Sequence, residues 1–248
     1  MKMKKYSLTV IFSLLLIGLL QAQINLSARV GYGFYSMSSL KTYQDKQLEN
    51  LGEIPAQIVS NFPPYINFKA FISFQRKDYR TRFRFYYGYQ TTGSRISLKD
   101  YSGELTLDLV VNGHMVGTEI EAFSTLIFDK IDLRGYFCLG TTTSILKMYN
   151  NLEVGEEKLN ESYIFYSHGL DVEPGLRATY KYKKLDFGLS LGYFLDGTVY
   201  FYLKGNRDVK LGYDENNLVR PSWDGLRLGI EVSVNLFDKS KKSGRTDI

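Results

Sequence analysis

The sequence predicts an all-β protein, a closed antiparallel transmembrane β-barrel of eight strands (ten is the alternative) behind a cleaved signal peptide. Three observations predict it. Alternation with period two recurs along the chain, while a 3.6-residue period hardly appears. The apolar positions, many of them Tyr or Phe near strand ends, outnumber what one small core would hold, and they alternate with Gly, Ser, Thr and charges of both signs. The connections between strands alternate short and long, as in membrane barrels with short periplasmic turns and longer external loops.

Composition excludes other classes. The aromatic fraction is 15%, with 20 Tyr and 16 Phe, too high for a disordered chain. Cys138 is the single cysteine, so no disulfide framework exists. A polytopic helical membrane protein would show several apolar runs of about 20 residues; the one apolar run here, at the N-terminus, is shorter than that. There Lys2, Lys4 and Lys5 precede the apolar stretch Leu8 to Leu20, and Leu20-Gln21-Ala22-Gln23 offers a small residue for cleavage, the build of a secretory signal. No Cys follows that site, which argues against a lipoprotein. The expected organisation is a signal peptide over 1–22, a barrel over 23–237 and a flexible basic periplasmic tail over 238–248. Without its three signal lysines the chain keeps 28 basic side chains against 26 acidic, too even to suggest nucleic acid.

The strands follow in order. In 24–36, Ile24, Leu26, Ala28, Val30, Tyr32 and Phe34 share one face. In 65–75, Ile66, Phe68, Ala70, Ile72 and Phe74 do the same, and in 81–90 Phe83, Phe85, Tyr87 and Tyr89. Residues 104–111 set Leu105, Leu107, Leu109 and Val111 against Glu104, Thr106 and Asp108, and the pattern resumes through about 127. It continues in 131–147, 164–182, 185–204 and 225–237. Short turns are expected at 76–80, 128–130 and 183–184, and long loops at 37–63, 91–103, 148–163 and 205–224. Eight strands place both termini on the periplasmic side.

Asn112-Gly113 and Asp196-Gly197 are favoured hairpin dipeptides, and reading both as hairpins gives ten strands. That reading breaks the short–long alternation, so bulges or bends are expected instead. At the first site the apolar register switches from odd (Leu105 to Val111) to even (Val116, Ile120, Ala122), as an inserted bulge residue would cause. Pro174 should distort its strand locally, since a closed barrel has no free edge for a missing donor. Residues 40–51 read equally as a short helix capping the mouth or as an irregular loop.

Parity assigns an interior of seven basic and seven acidic side chains: Arg29, Lys69, Arg82, Arg84, Asp108, Glu119, Glu121, Asp132, Arg134, Asp171, Glu173, Arg177, Arg227 and Glu231. Balanced charge in so narrow a lumen reads as a salt-bridged plug. The rival reading, a pore lined by rings of charge, needs more diameter. Cys138 shares the parity of Arg134 and Tyr136 and should be a buried, inert thiol. His114 and His168, the two histidines, have no ligand-spaced partners for a metal. Ser167, His168 and Asp171 form a weak catalytic constellation, but His168 has the parity of Leu170 and Val172, on the apolar side, and reads as an interfacial residue. No cofactor is expected and no enzymatic activity.

Segments such as Ala28-Arg29-Val30-Gly31-Tyr32-Gly33, Leu189-Ser190-Leu191-Gly192-Tyr193 and the closing stretch from Leu226 to Phe237 resemble the small, porin-like outer-membrane β-barrel proteins of Gram-negative bacteria. The resemblance covers the mature chain and implies residence in the outer membrane. Such barrels often end their last strand on an aromatic tied to barrel assembly. Phe237 matches, with eleven residues after it. The resemblance implies no single activity. Three functions are therefore carried forward: a closed structural or interaction barrel meeting a protein or surface through its external loops, a narrow channel for small solutes, and a lipid-modifying enzyme using His168.

Overall fold

In a computed structural model that describes residues 23–52, 54–75, 81–101, 103–127, 131–213 and 217–236, eight long strands pair antiparallel in a ring. In chain order the elements are β1 (Gln23–Tyr35), α1 (Ser38–Asn50), β2 (Gln57–Asn61), β3 (Tyr65–Gln75), β4 (Arg82–Lys99), β5 (Gly103–Ile127), β6 (Ile131–Val154), β7 (Glu157–Tyr182), β8 (Leu185–Thr198), β9 (Tyr202–Leu203), β10 (Asn206–Lys210) and β11 (Gly225–Asn235). Each of β3 to β7 pairs with the next, β8 pairs with β11, and β1 bridges β11 to β3. Closure leaves no edge within the ring, and a ring this size has an interior just wide enough for its own side chains. Three short strands lie outside it: β2 adds to β4, β9 to β7, and β10 to β9. The expected signal segment, the turns 76–80 and 128–130, Phe237 and the tail lie outside the described residues.

Eight ring strands match the preferred count, and neither dipeptide makes a hairpin. Asn112-Gly113 also makes no bulge. The β4–β5 ladder runs without a shift from Arg82↔Glu121 to Lys99↔Glu104, and the β5 irregularity against β6 falls between Ala122 and Thr125. The apolar register switches because the surroundings change while the backbone frame does not. Odd residues of β5 point inward throughout, from Glu121 and Glu119 through Met115 to Val111 and Leu109. Low in the barrel the inward side chains are charged; high in the barrel they are apolar.

The same inversion hides the upper strands. The stretches 91–103 and 148–163, expected as loops, are mostly paired strand, and β5, β6 and β7 run 25, 24 and 26 residues. Both faces of these extensions meet water or the cap, so alternation fades although the hydrogen-bond ladder continues. At Pro174 the ladder to β8 omits two pairs and resumes in the same register at Gly175↔Gly192, which confines the distortion.

The helical reading of 40–51 holds. α1 starts at Met37, whose φ is 45°, turns Leu40 and Gln44 into the barrel mouth, and carries an exposed Lys46–Glu49 ion pair. It stops at Gly52, whose φ of 66° suits a left-handed cap and whose N–H reaches the Glu49 carbonyl at 3.0 Å.

Candidate functional site

Inward parity gathers the lumen side chains into two tiers. The lower tier is ionic. Glu119 and Glu121 on β5 and Glu231 on β11 face Arg29 on β1, Arg84 on β4 and Arg177 on β7. Arg84 reaches Glu119 at 2.6 Å, Glu121 at 3.0 Å and Glu231 at 2.6 Å. Arg29 meets Glu231 at 3.0 Å and Glu119 at 3.2 Å, and Arg177 bonds both Glu119 and Glu121. Aromatic faces receive the guanidinium groups: Arg84 lies 3.8 Å and Arg29 4.6 Å from the Phe71 centroid, and Arg177 5.1 Å from Tyr136. Toward the termini Arg134 pairs with Asp132 at 2.7 Å, and Arg82 approaches Glu121 at 3.4 Å.

Toward the mouth, Lys69 Nζ on β3 meets Glu173 on β7 at 2.6 Å. These strands stand on opposite sides of the ring, so the pair crosses the whole lumen. Glu173 also takes Arg227 at 3.2 Å and the Tyr136 hydroxyl at 3.0 Å. Asp171 accepts from Tyr86 at 3.2 Å and from Thr142 at 2.8 Å. Tyr136 fits because Gly175 and Gly192 line it, and a Cβ at either position would strike its phenol. A cavity of about 10 Å³ remains between Arg29, Lys69, Tyr136, Glu173 and Arg227, about what one water needs.

Thirteen of the fourteen residues assigned inward from parity are buried in this lumen. Asp108 is the exception and a correction. It lies on the outer face, where both its oxygens bind Arg95, at 2.6 and 2.7 Å. Apolar side chains of β5 point outward beside the ionic tier but inward above it, so parity inverts there. Asp186, which the list missed, is buried in its place, so the described interior still holds seven cations and seven anions. Its even position between outward Leu185 and Phe187 carried the signal. Cys138 is buried, 3.3 Å from Glu119.

The upper tier is apolar. Leu109 and Val111 of β5, Leu146 and Met148 of β6 and Phe165 of β7 line it, and it is filled by Met37 and Leu40 at the start of α1 and by Phe201, Leu211, Val219 and Trp223. Trp223 is fully buried, donates its indole N–H to Ser144 at 2.8 Å and stands edge-on to Tyr35. Between the tiers, Arg227 stacks 3.6 Å from the Phe194 centroid and donates to Gln90 at 2.5 Å. Stretches 199–213 and 217–224 are stitched to each other by their backbones, with Phe201 N donating to Val219 and Val219 N to Leu211. Met37, Phe62 and Ser222 hold positive φ without being glycine, and all three are buried in or against this cap.

The outward face around the ionic tier is a continuous apolar band: Leu26 to Phe34 on β1, Phe83 to Tyr87 on β4, Leu170 to Tyr180 on β7, Leu185 to Leu195 on β8 and Leu226 to Val234 on β11. On β7 the band's length matches the ~9–11 tilted residues that cross a bilayer. At its upper limit a polar row crosses four strands, Tyr89–His114–Thr143–His168, with Tyr87 hydrogen-bonded to His114 and Thr143 to His168, each at 2.8 Å. An apolar belt outside, charge inside and aromatics at the rim are the inverse of a soluble barrel.

This is a transmembrane β-barrel of the bacterial outer-membrane type.

No protein-family model matches the chain, and no curated protein matches it. Among solved structures it is similar to a major outer membrane protein from Thermus thermophilus, at 14% identity and a TM-score of 0.46, over 85% of this chain and 98% of that one. Neisserial surface protein A follows at 14% identity and 0.28, over 86% and 96%. The attachment invasion locus protein Ail of Yersinia pestis stands at 10% and 0.33, over 86% and 98%. What the barrel does has to be read from its own residues.

The histidines mark the membrane boundary. Ser167 and Asp171 point into the lumen and His168 points out, so the three cannot meet. Among the described residues no His, Cys, Asp and Glu cluster has the geometry to hold a metal.

Proposed function

We propose that the protein is a closed, non-conducting and non-catalytic barrel of the outer membrane that displays an extracellular β-sheet to a protein or surface partner. The observation that carries this reading is the cross-lumen Lys69–Glu173 pair at 2.6 Å, set in a network with room for one water beneath an apolar cap. A hydrated ion passing this level would have to part several buried ion pairs, each uncompensated once opened. The display surface is the extension of β5, β6 and β7. Residues 157–168 rise roughly 35 Å along the strand, at ~3.3 Å per residue, beyond the histidine row. Its tip exposes Tyr101, Val154 and Leu159, and Ile54, Pro55, Leu98, Leu105, Leu152 and Val154 line a groove of about 450 Å³ there.

Solute flux tests the proposal. Proteoliposomes of the full chain should swell in an isotonic small sugar no faster than empty vesicles. Swelling that scales with protein content would favour the channel. His168→Ala should leave the closed lumen unchanged; loss of a lipid-hydrolysing activity on that change would favour the enzyme.

A further inference from the structure

Cations on the upper barrel include neutralised and unneutralised ones. Arg95, Lys99 and Lys158 are neutralised, by Asp108 at 2.6 Å, Glu104 at 2.9 Å and Glu153 at 2.8 Å. Lys147, Lys204 and Arg207 have no carboxylate within ion-pair distance among the described residues. These three converge on one patch.

Register places them. Tyr166 of β7 pairs with Ile145 of β6 and Tyr202 of β9, all outward, since neighbouring Phe165 and Leu203 turn into the cap. One step higher, Lys147 pairs with Ile164, whose carbonyl accepts the Lys204 N–H at 2.8 Å. Alternation puts Lys147 on the outer face beside Ile164, and Lys204, exposed at the turn after β9, follows inward Leu203 on its other side. On its other side Lys147 pairs with Val110, so the row holds no acid. The Arg207 guanidinium lies 5.5 Å from the Tyr202 centroid, and Tyr202 stands 6.0 Å from His168 and 6.4 Å from Tyr166. Acids close in register are engaged or turned away: Asp108, diagonal to Lys147, is held by Arg95 at 2.6 and 2.7 Å, Glu161 accepts from Tyr163 at 3.0 Å, and Asp208 alternates away from Arg207 along β10.

Height decides the ligand. His168 marks the top of the apolar band on β7, and Ile164 lies four residues above it. At ~3.3 Å per residue and a strand tilt of about 45°, the lysine row stands about 10 Å above the hydrocarbon edge. Lysine stems can bend several Å toward that edge. The cations therefore lie at headgroup height, above tyrosines and a histidine suited to the interface. We infer that the outward face of β6, β7 and β9 holds the phosphate headgroup of an anionic outer-leaflet lipid, with Lys147, Lys204 and Arg207 on the phosphate and Tyr166, Tyr202 and His168 beneath it. This site is independent of the lumen and lies at the base of the β5–β7 extension, below its exposed tip.

The test uses the full chain in phosphatidylcholine vesicles with a trace of spin-labelled phosphatidylglycerol, reading its preference for the protein's lipid shell over labelled phosphatidylcholine. The wild type should prefer the anionic lipid. Each charge removed from Lys147→Gln, Lys204→Gln, Arg207→Gln should lower the affinity of the site by about fivefold. The control triple Arg95→Gln, Lys99→Gln, Lys158→Gln should keep it, because those charges are already neutralised. Equal preference in the two triples would overturn the inference. Inorganic phosphate and chloride at matched ionic strength should weaken the preference alike; selective displacement by phosphate would mean a free-anion site and would overturn the lipid assignment. Heat-modifiable mobility confirms folding of each triple, and the single Arg207→Gln variant, expected to lose about fivefold, serves if the patch triple fails to insert.

Discussion

The lower and upper halves of the lumen are filled by opposite chemistries on the same strands. β5 contributes Glu119 and Glu121 below, Leu109 and Val111 above, without changing frame. Below, the outside is hydrocarbon, so the apolar residues go out and the lumen must satisfy buried charges with one another. Above, the outside is water, so the strands pack their apolar side inward against α1 and 199–224, as a soluble barrel does. Each half follows from the solvent around it. The lower half is filled by ion pairs whose individual loss is costly, the upper by a cap that also holds strained residues.

That contrast can be broken or sharpened by substitution. The largest effect is expected in the ionic tier. Glu119→Gln leaves Arg29, Arg84 and Arg177 short of a buried anion, at a cost of about 3–5 kcal/mol. It should sharply lower the urea midpoint of the heat-modifiable band shift. Trp223→Ala should cost a comparable 3–5 kcal/mol or somewhat less, but confined to the cap. Amide exchange should quicken in α1 and 199–213, while the β1, β4 and β11 amides around Arg29, Arg84 and Glu231 keep their protection. A global midpoint lowered as far as by Glu119→Gln would show that the tiers melt as one unit. Gly192→Ala, which presses a methyl on the Tyr136 phenol, should cost about 1–3 kcal/mol by the same band-shift assay. Asp108→Asn should be smallest, about 0–1 kcal/mol, since its partner Arg95 is 53% exposed.

The small effect at Asp108 marks where sequence reading stopped. Eight strands, inward charges at Arg29 to Glu231 and the outward His168 are legible because alternation is strong wherever lipid lies on one side and a polar lumen on the other. Above His168 that contrast disappears. Leu105 to Val111 keep their alternation with its meaning reversed, which is why the sequence turns Asp108 inward and suggests a bulge at Asn112. Residues 148–163 lost alternation altogether and read as a loop, although their ladder is continuous. The cap was legible only as helix formers at 40–51, because what brings Phe201, Val219 and Trp223 into the mouth is a tertiary fit with no local period. The lipid patch was not legible either, since it depends on which lysines lack a carboxylate across a strand.

Conductance across a planar bilayer bears most directly on the claim that two independent tiers close the lumen. The full chain, and equally Trp223→Ala with its cap loosened, should give no unitary current steps, because the Lys69–Glu173 level stays shut. Reproducible steps from the unaltered chain would contradict the closed lumen. Steps from Trp223→Ala alone would show that the cap, rather than the ionic tier, is the seal.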